Sequence, residues 1–271
     1  MDDFFLRIHT ALMTREPDAK CALVAQLWDE WRGNDVAPPL DQTIAPMGEP
    51  GRPLRPVLVA PQDAPRRSTG TAEGRGALIH ALVHIEFNAI NLALDAAYRF
   101  RGLPRDFYAD WLKVAAEEAY HFRLLRDHLR TLGFDYGDFA AHNGLWEMAL
   151  RTGHDPLVRM ALVPRVLEAR GLDVTPGIRA KLVAIGDQEA ARILDIIERD
   201  EIGHVTIGNR WYRHLCTARG LEPTATFREL LRDYDAPALR PPFNLDGRRR
   251  AGFTEAEIAL LNPTFSEPEA L

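Results

Sequence analysis

Two glutamate–histidine pairs carry the chemistry of this sequence: Glu118 with His121 in AAEEAYHFRLL, and Glu201 with His204 in ERDEIGHVTIG. Residues three apart on a helix project from neighbouring positions on one face, so each pair can aim an oxygen and a nitrogen at one point. A lone E-x-x-H is weak, because a surface ion pair uses the same spacing. Two copies in apolar settings mean more. Val114, Ala115, Leu124 and Leu125 flank the first; Ile193, Ile196, Ile197, Val205 and Ile207 flank the second. Charged groups sit among such neighbours when they are paired or bind metal.

A dinuclear metal site in a four-helix bundle also takes one glutamate from each of the two remaining helices. ALIHALVHIEFNAINLALDAAY holds Glu86 as its only acid between Glu73 and Asp95, and DPLVRMALVPRVLEARG holds Glu168 as its only acid after Asp155. Glu86 and Glu118 are 32 residues apart, and Glu168 and Glu201 are 33 apart. Groups at one level of an antiparallel helix pair lie equally far from the turn. That places one turn at Gly102 in RGLP and the other beside Gly186–Asp187. A mismatch of about four residues would separate partners by ~6 Å. The spacing therefore predicts two similar half-sites facing each other.

Four carboxylates and two imidazoles suit Fe or Mn. Two Fe ions are favoured, with a mixed Fe/Mn pair as the alternative. The carboxylates neutralise two divalent cations. Glu118 and Glu201 are assigned as bridges, which hold two ions ~3.5–4 Å apart, and Glu86 and Glu168 as terminal ligands. Glu117 and Asp200 each precede a bridging glutamate and could accept the outer ring N–H that a metal-bound histidine donates; an acid on the outer helix face fits equally well. Glu198 could be an extra ligand or a proton relay. His80 and His84 are read as structural or surface groups, since His84 faces nearly opposite Glu86.

The elements that must position these groups are all helical, giving an all-α fold. Residues 1–35 form an N-terminal helical segment, in which Pro17 suits an early helical position and Gly33 a stop. Residues 36–71 carry the eight prolines of VAPPLDQTIAPMGEPGRPLRPVLVAPQDAPRR and read as an extended strap over the core, with a disordered linker as the rival. Residues 72–219 form the antiparallel bundle, its four helices near 73–101, 105–132, 156–170 and 187–218. A long crossover joins the second to the third and has room for one short helix. The third is expected to break at GLDVTPG, with Thr175 as N-cap and Pro176 opening a new piece. Residues 220–271 form a tail with short helices, one of them started by a Thr254/Glu257 capping box.

The 271 residues are 46% hydrophobic and 27% charged, ordinary for a globular chain with a sizeable core. A net charge of −6 argues against a nucleic-acid binder or a protein held on an anionic membrane. The RRR at 248–250 reads as a solvated turn before a helix. Cys21 and Cys216 make neither a disulfide framework nor a metal pair. The start MDDFFLRIHT is acidic where a signal peptide is basic, and no unbroken apolar stretch reaches about 18 residues. A cytoplasmic location is expected.

The order Glu…E-x-x-H…Glu…E-x-x-H, with an acid before each E-x-x-H, resembles the ferritin-like di-iron carboxylate superfamily. That group includes ferritins, rubrerythrins, ribonucleotide reductase small subunits, bacterial multicomponent monooxygenases and a tRNA hydroxylase. HIEFNAINLALDAAYRF, EEAYHFRLL, EARGLDVTPG and RDEIGHVTIGNRWY, preceded by GEPGRPLRPVLV, are similar to the bacterial ferritin-like family called domain of unknown function 455. The resemblance implies a fold and a ligand set, and no substrate.

Three functions follow as expectations. The first is a non-haem oxidoreductase activating O2 or peroxide on a small-molecule substrate, such as a hydroxylase or monooxygenase, fed by an electron donor that the sequence does not name. The second is metal binding, storage or peroxide removal without a specific organic substrate, where a homo-oligomer would be expected. It ranks lower because a storage shell needs none of the strap and tail, and the chain lacks rubrerythrin's cysteine-ligated iron module. The third is a bundle that keeps its metal as a structural staple.

Overall fold

Thr71 starts the first long helix by accepting a hydrogen bond from the Gly74 amide at 3.0 Å. The structure, a computed structural model, describes residues 4–33, 45–65, 69–234 and 240–261. Two short helices, α1 (Phe4–Met13) and α2 (Pro17–Arg32), precede the long α3 (Ala72–Arg99) and α4 (Arg105–Thr131). α5 (Gly144–Arg151) lies in the crossover, followed by α6 (Pro156–Leu162), a π-helical segment Val163–Glu168, α7 (Ala169–Ala184) and α8 (Gln188–Ala218). The tail adds α9 (Pro223–Asp233), α10 (Leu245–Arg250) and α11 (Glu255–Ala259). Among the described residues the only β pairing is an isolated bridge, Leu58 with Ala141. The architecture is a ferritin-like four-helix bundle with an interrupted third arm.

Two compact units divide the chain: Met1–Gly153 with Leu182–Ile193, and His154–Lys181 with Leu194–Leu271. In the first, α3 packs on α4 and α1, and α2 packs on α4. The turn between α3 and α4 contains Gly102 at φ +71°, and Gly186 sits at φ +83° between α7 and α8. Both turns fall where the ligand spacing puts them, and glycine takes this left-handed conformation without the Cβ clash. Asp187 caps α8 through the Ala190 amide (3.0 Å) and also bonds His128 of α4 (3.0 Å). By length and composition α3 could cross a membrane, but 78% of its apolar window is buried inside the protein. It is a core helix.

The described part of the strap, 45–65, holds no α-helix and has one 3-10 turn, Pro61–Asp63. Gly51 donates to the Leu12 carbonyl (3.0 Å), and Val57 and Val59 pair with Ala141 of the crossover (Val59 N–H to Ala141 O, 2.8 Å; Ala141 N–H to Val57 O, 3.0 Å). Residues 36–44 and 66–68 of the expected strap, and 235–239 and 262–271 of the tail, lie outside the described residues.

Three expectations need correction. GLDVTPG does not interrupt the third arm: residues 171–177 run inside α7, and Thr175–Pro176 is not a helix start. Proline cannot donate to the carbonyl four residues back. Here Asn244 Nδ2 reaches that Leu172 carbonyl instead (3.2 Å), so the helix continues. The real interruption comes earlier, at Val163–Glu168, where the Ala169 amide reaches five residues back to the Pro164 carbonyl. Lastly, RRR is no solvated turn. It lies within α10, and Arg248 is fully buried, clamped on both oxygens of Asp173 at 3.0 and 2.7 Å.

Lys20 ties the N-terminal helices to α3. Its buried Nζ meets three acceptors: the Ala11 and Leu12 carbonyls (3.0 and 2.7 Å) and Asn91 Oδ1 (2.7 Å). Lys20→Met should lower stability by about 2–4 kcal/mol, because three buried acceptors lose their donor. Denaturant unfolding checks this, and an unchanged midpoint would refute the tie.

Candidate metal centre

α3 and α4 together bring three acids and bases to one point. Glu86 on α3 and Glu118 and His121 on α4 are buried, the last two completely. His121 Nδ1 stands 3.3 Å from Glu118 Oε2 and 3.5 Å from Glu86 Oε2, so one ring nitrogen faces both carboxylates. On the same two helices Val83, Phe87, Val114, Ala115 and Phe122 are also buried, so the cluster sits in an apolar stretch of both. Burial first, and the neighbouring Glu118 second, push the Glu86 carboxyl well above the ordinary carboxylate range. Glu86 Oε2 has no properly formed hydrogen bond. Two carboxylates placed together in an apolar interior with an imidazole beside them fit a divalent cation.

The second E-x-x-H lies on α8. His204 is fully buried and its Nδ1 is 3.5 Å from Glu201 Oε1, a near copy of the His121–Glu118 spacing. Within α3 and α4, Glu86, Glu118 and His121 each offer one ligand atom, and these three atoms lie within 4.8 Å of one another. Glu201 and His204 are carried by α8, and Glu168 by the π-helical segment. Glu168 is half-buried and ends the π-helical segment.

Local packing explains the position of that segment. A Cβ on Gly208, one turn beyond His204, would lie 2.3 Å from Pro164 Cβ. The glycine lets α8 approach the π segment closely. Nothing in the sequence pattern marked Val163–Glu168, although Pro164 in mid-helix was the available signal.

The remaining site expectations fall as follows. Glu117 lies 3.5 Å from Lys113 and Asp200 2.8 Å from Arg199. Glu198 accepts from Asn244 Nδ2 at 3.3 Å. His80 and His84 are buried. His80 Nε2 accepts the Gly137 amide (3.0 Å). His84 Nε2 faces the His142 carbonyl (3.0 Å) and so carries the proton, leaving Nδ1 to accept from the Tyr136 hydroxyl (3.0 Å). Burial pushes His84 down to about 4, so it is neutral at pH 7. With both nitrogens engaged, His84 is a structural residue.

This chain matches a family described as Protein of unknown function (DUF455) across residues 13–259. It belongs to the DUF455 family. The family lies within the ferritin-like fold class, in keeping with the helix order above. An uncharacterized protein of Haemophilus influenzae (strain ATCC 51907 / DSM 11121 / KW20 / Rd) is 49% identical to this DUF455 chain over 265 residues, covering 94% of this chain and 92% of its own. No solved structure matches.

The raised Glu86 carboxyl has a consequence for the metal-free protein. Above pH 4.5 the folded state holds a proton that the unfolded chain releases, so stability falls as pH rises. Glu86→Gln removes that cost. Without metal, the variant should melt higher than wild type at pH 7, and the gap should close as pH falls toward 4.5. Equal melting temperatures at pH 7 in calorimetry would contradict this.

Proposed function

We propose that this DUF455 protein holds two Fe or Mn ions between Glu86, Glu118, His121, Glu168, Glu201 and His204, and that it is a redox-active metalloprotein consuming O2 or peroxide. The buried cluster of Glu86, Glu118 and His121 carries this reading. Acidic clusters on surfaces are common without metal, but these three residues are buried, where uncompensated carboxylates are costly.

Each side chain then has a task. Glu118 and Glu201 would serve as the bridging carboxylates and Glu86 and Glu168 as the terminal ones, with His121 and His204 supplying nitrogen. When bound, two such ions together supply two electrons to O2 or peroxide. Burial of Glu86, Glu118 and His121 strengthens every charge interaction among them. Burial disposes the Glu86 carboxyl to hold a proton in the metal-free protein.

Metal binding with peroxide or O2 consumption and no dedicated organic substrate is the reading best supported. A hydroxylase or monooxygenase acting on a small molecule is the second. The π-helical segment ending at Glu168 favours it, because such segments interrupt helices at functional sites. Either form draws electrons from a separate donor in the cytoplasm. A net charge of −6 weighs against a polynucleotide substrate.

Metal analysis of anaerobically purified protein, with optical spectra after O2 or peroxide, tests the proposal. Two Fe or Mn per chain and an oxidant-dependent band are expected. Less than one metal per chain from metal-replete cells would overturn it. Glu118→Ala and His204→Ala should each abolish paired occupancy. His84→Ala should lower the melting temperature yet keep both metals.

A further inference from the structure

The π-helical segment Val163–Glu168 is held from outside by the C-terminal tail. Arg165, in the middle of the segment, is fully buried. Its Nη2 donates to Glu257 Oε1 on α11, and its guanidinium lies 4.1 and 4.0 Å from the ring centres of Tyr212 and Phe227. The aromatic faces stand in for hydrogen bonds that Nε and Nη1 lack. Glu257 is almost wholly buried. Its other oxygen accepts from Arg213 Nη2 on α8 (3.1 Å) and from the Thr254 amide (2.9 Å). A second buried contact sits one turn further along α7, where Arg248 grips Asp173 and Asn244 takes the Leu172 carbonyl orphaned by Pro176.

A π segment is a marginal form of helix with poorer backbone geometry than its α neighbours. Its six residues carry Glu168 at their end, so the carboxylate's position follows whatever fixes the segment. The internal sequence supplies little: Pro164 has no N–H to donate. The fixed points are Gly208 beneath Pro164 and Glu257 on Arg165. Truncating one partner of a buried ion pair leaves the other charge uncompensated, so loss of Glu257 would release Arg165 and with it the turn that presents Glu168.

We infer that Glu257, seconded by Asn244, is a positioning residue for the metal centre: through Arg165 and the Leu172 carbonyl, the tail sets where Glu168 stands. This rests on Glu168 being a metal ligand, as proposed above. It makes the tail part of the site's construction, although Glu257 touches no metal itself.

The test uses the full chain with Glu257→Gln, Glu257→Asp and, as control, Arg249→Ala, which removes only an exposed pair with Glu255. Two readouts are taken: amide hydrogen exchange across 163–169 in metal-free protein, and anaerobic titration with Mn(II). Glu257→Gln should keep its helix content and exchange faster at 163–169. One of its two Mn(II) equivalents should bind about 10–100-fold more weakly, the range found when residues supporting metal ligands are lost. Glu257→Asp should recover part of both effects, and Arg249→Ala should change neither. Wild-type exchange and wild-type Mn(II) binding in Glu257→Gln would overturn the inference. Faster exchange with unchanged Mn(II) binding would also overturn it, leaving the tail a structural brace only. If Glu257→Gln does not fold, Asn244→Ala, which removes side-chain hydrogen bonds to the Leu172 carbonyl, Glu198 and the Gly247 amide and no charge, carries the same two readouts. A wild type that takes up no Mn(II) would defeat the metal reading and the positioning role together, while exchange would still report whether the brace exists.

Discussion

Two carboxylates pressed together in an apolar interior are the constraint around which this fold is arranged. Glu86 and Glu118 come from adjacent helices, both buried, with His121 between them. Like charges at such separation cannot both ionise cheaply. Either one takes a proton, as the raised Glu86 carboxyl indicates, or a cation supplies the missing charge. An ordinary core would place leucine there and be more stable. Retaining acids at this cost is what separates a metal-holding bundle from a merely packed one.

Bringing these groups level depends on turns more than on the helices themselves. Gly102 and Gly186 both adopt left-handed backbone, and each lies near the midpoint of a glutamate pair, Glu86–Glu118 or Glu168–Glu201. A shift of one turn along either helix would move a carboxylate by ~5.4 Å, outside coordination reach. Lys20, with three acceptors around its Nζ, and Asp187, capping α8 while bonding His128, pin the N-terminal helices and the second turn. The polar contacts thus fix register, while the apolar surface supplies most of the cohesion.

The third arm is built differently. Pro164 and Pro176 deny it two backbone donors, and the chain answers each loss in its own way. Near Pro164 the helix widens into a π turn; at Pro176 it stays α-helical because Asn244 lends a side-chain amide. The tail also supplies Glu257 and Arg248 as buried counterions for Arg165 and Asp173. Segments that look like appendages in the sequence therefore complete the hydrogen bonding of the bundle.

The sequence by itself determined what depends on local pattern. The long helices, the two E-x-x-H pairs, the single acids Glu86 and Glu168, the turns at Gly102 and Gly186 and the Thr254–Glu257 capping box are all legible from spacing and residue type. Tertiary structure alone decided what depends on partners far along the chain. Residues 171–177 read as a break because proline removes a local donor, and nothing local shows that Asn244 replaces it. Arg248 reads as solvated because its partner Asp173 lies 75 residues away. His84 reads as a structural or surface group until Tyr136 and the His142 carbonyl occupy its two nitrogens. Periodicity records which face of a helix is apolar. It holds no record of which distant group will satisfy a buried charge or an orphaned carbonyl.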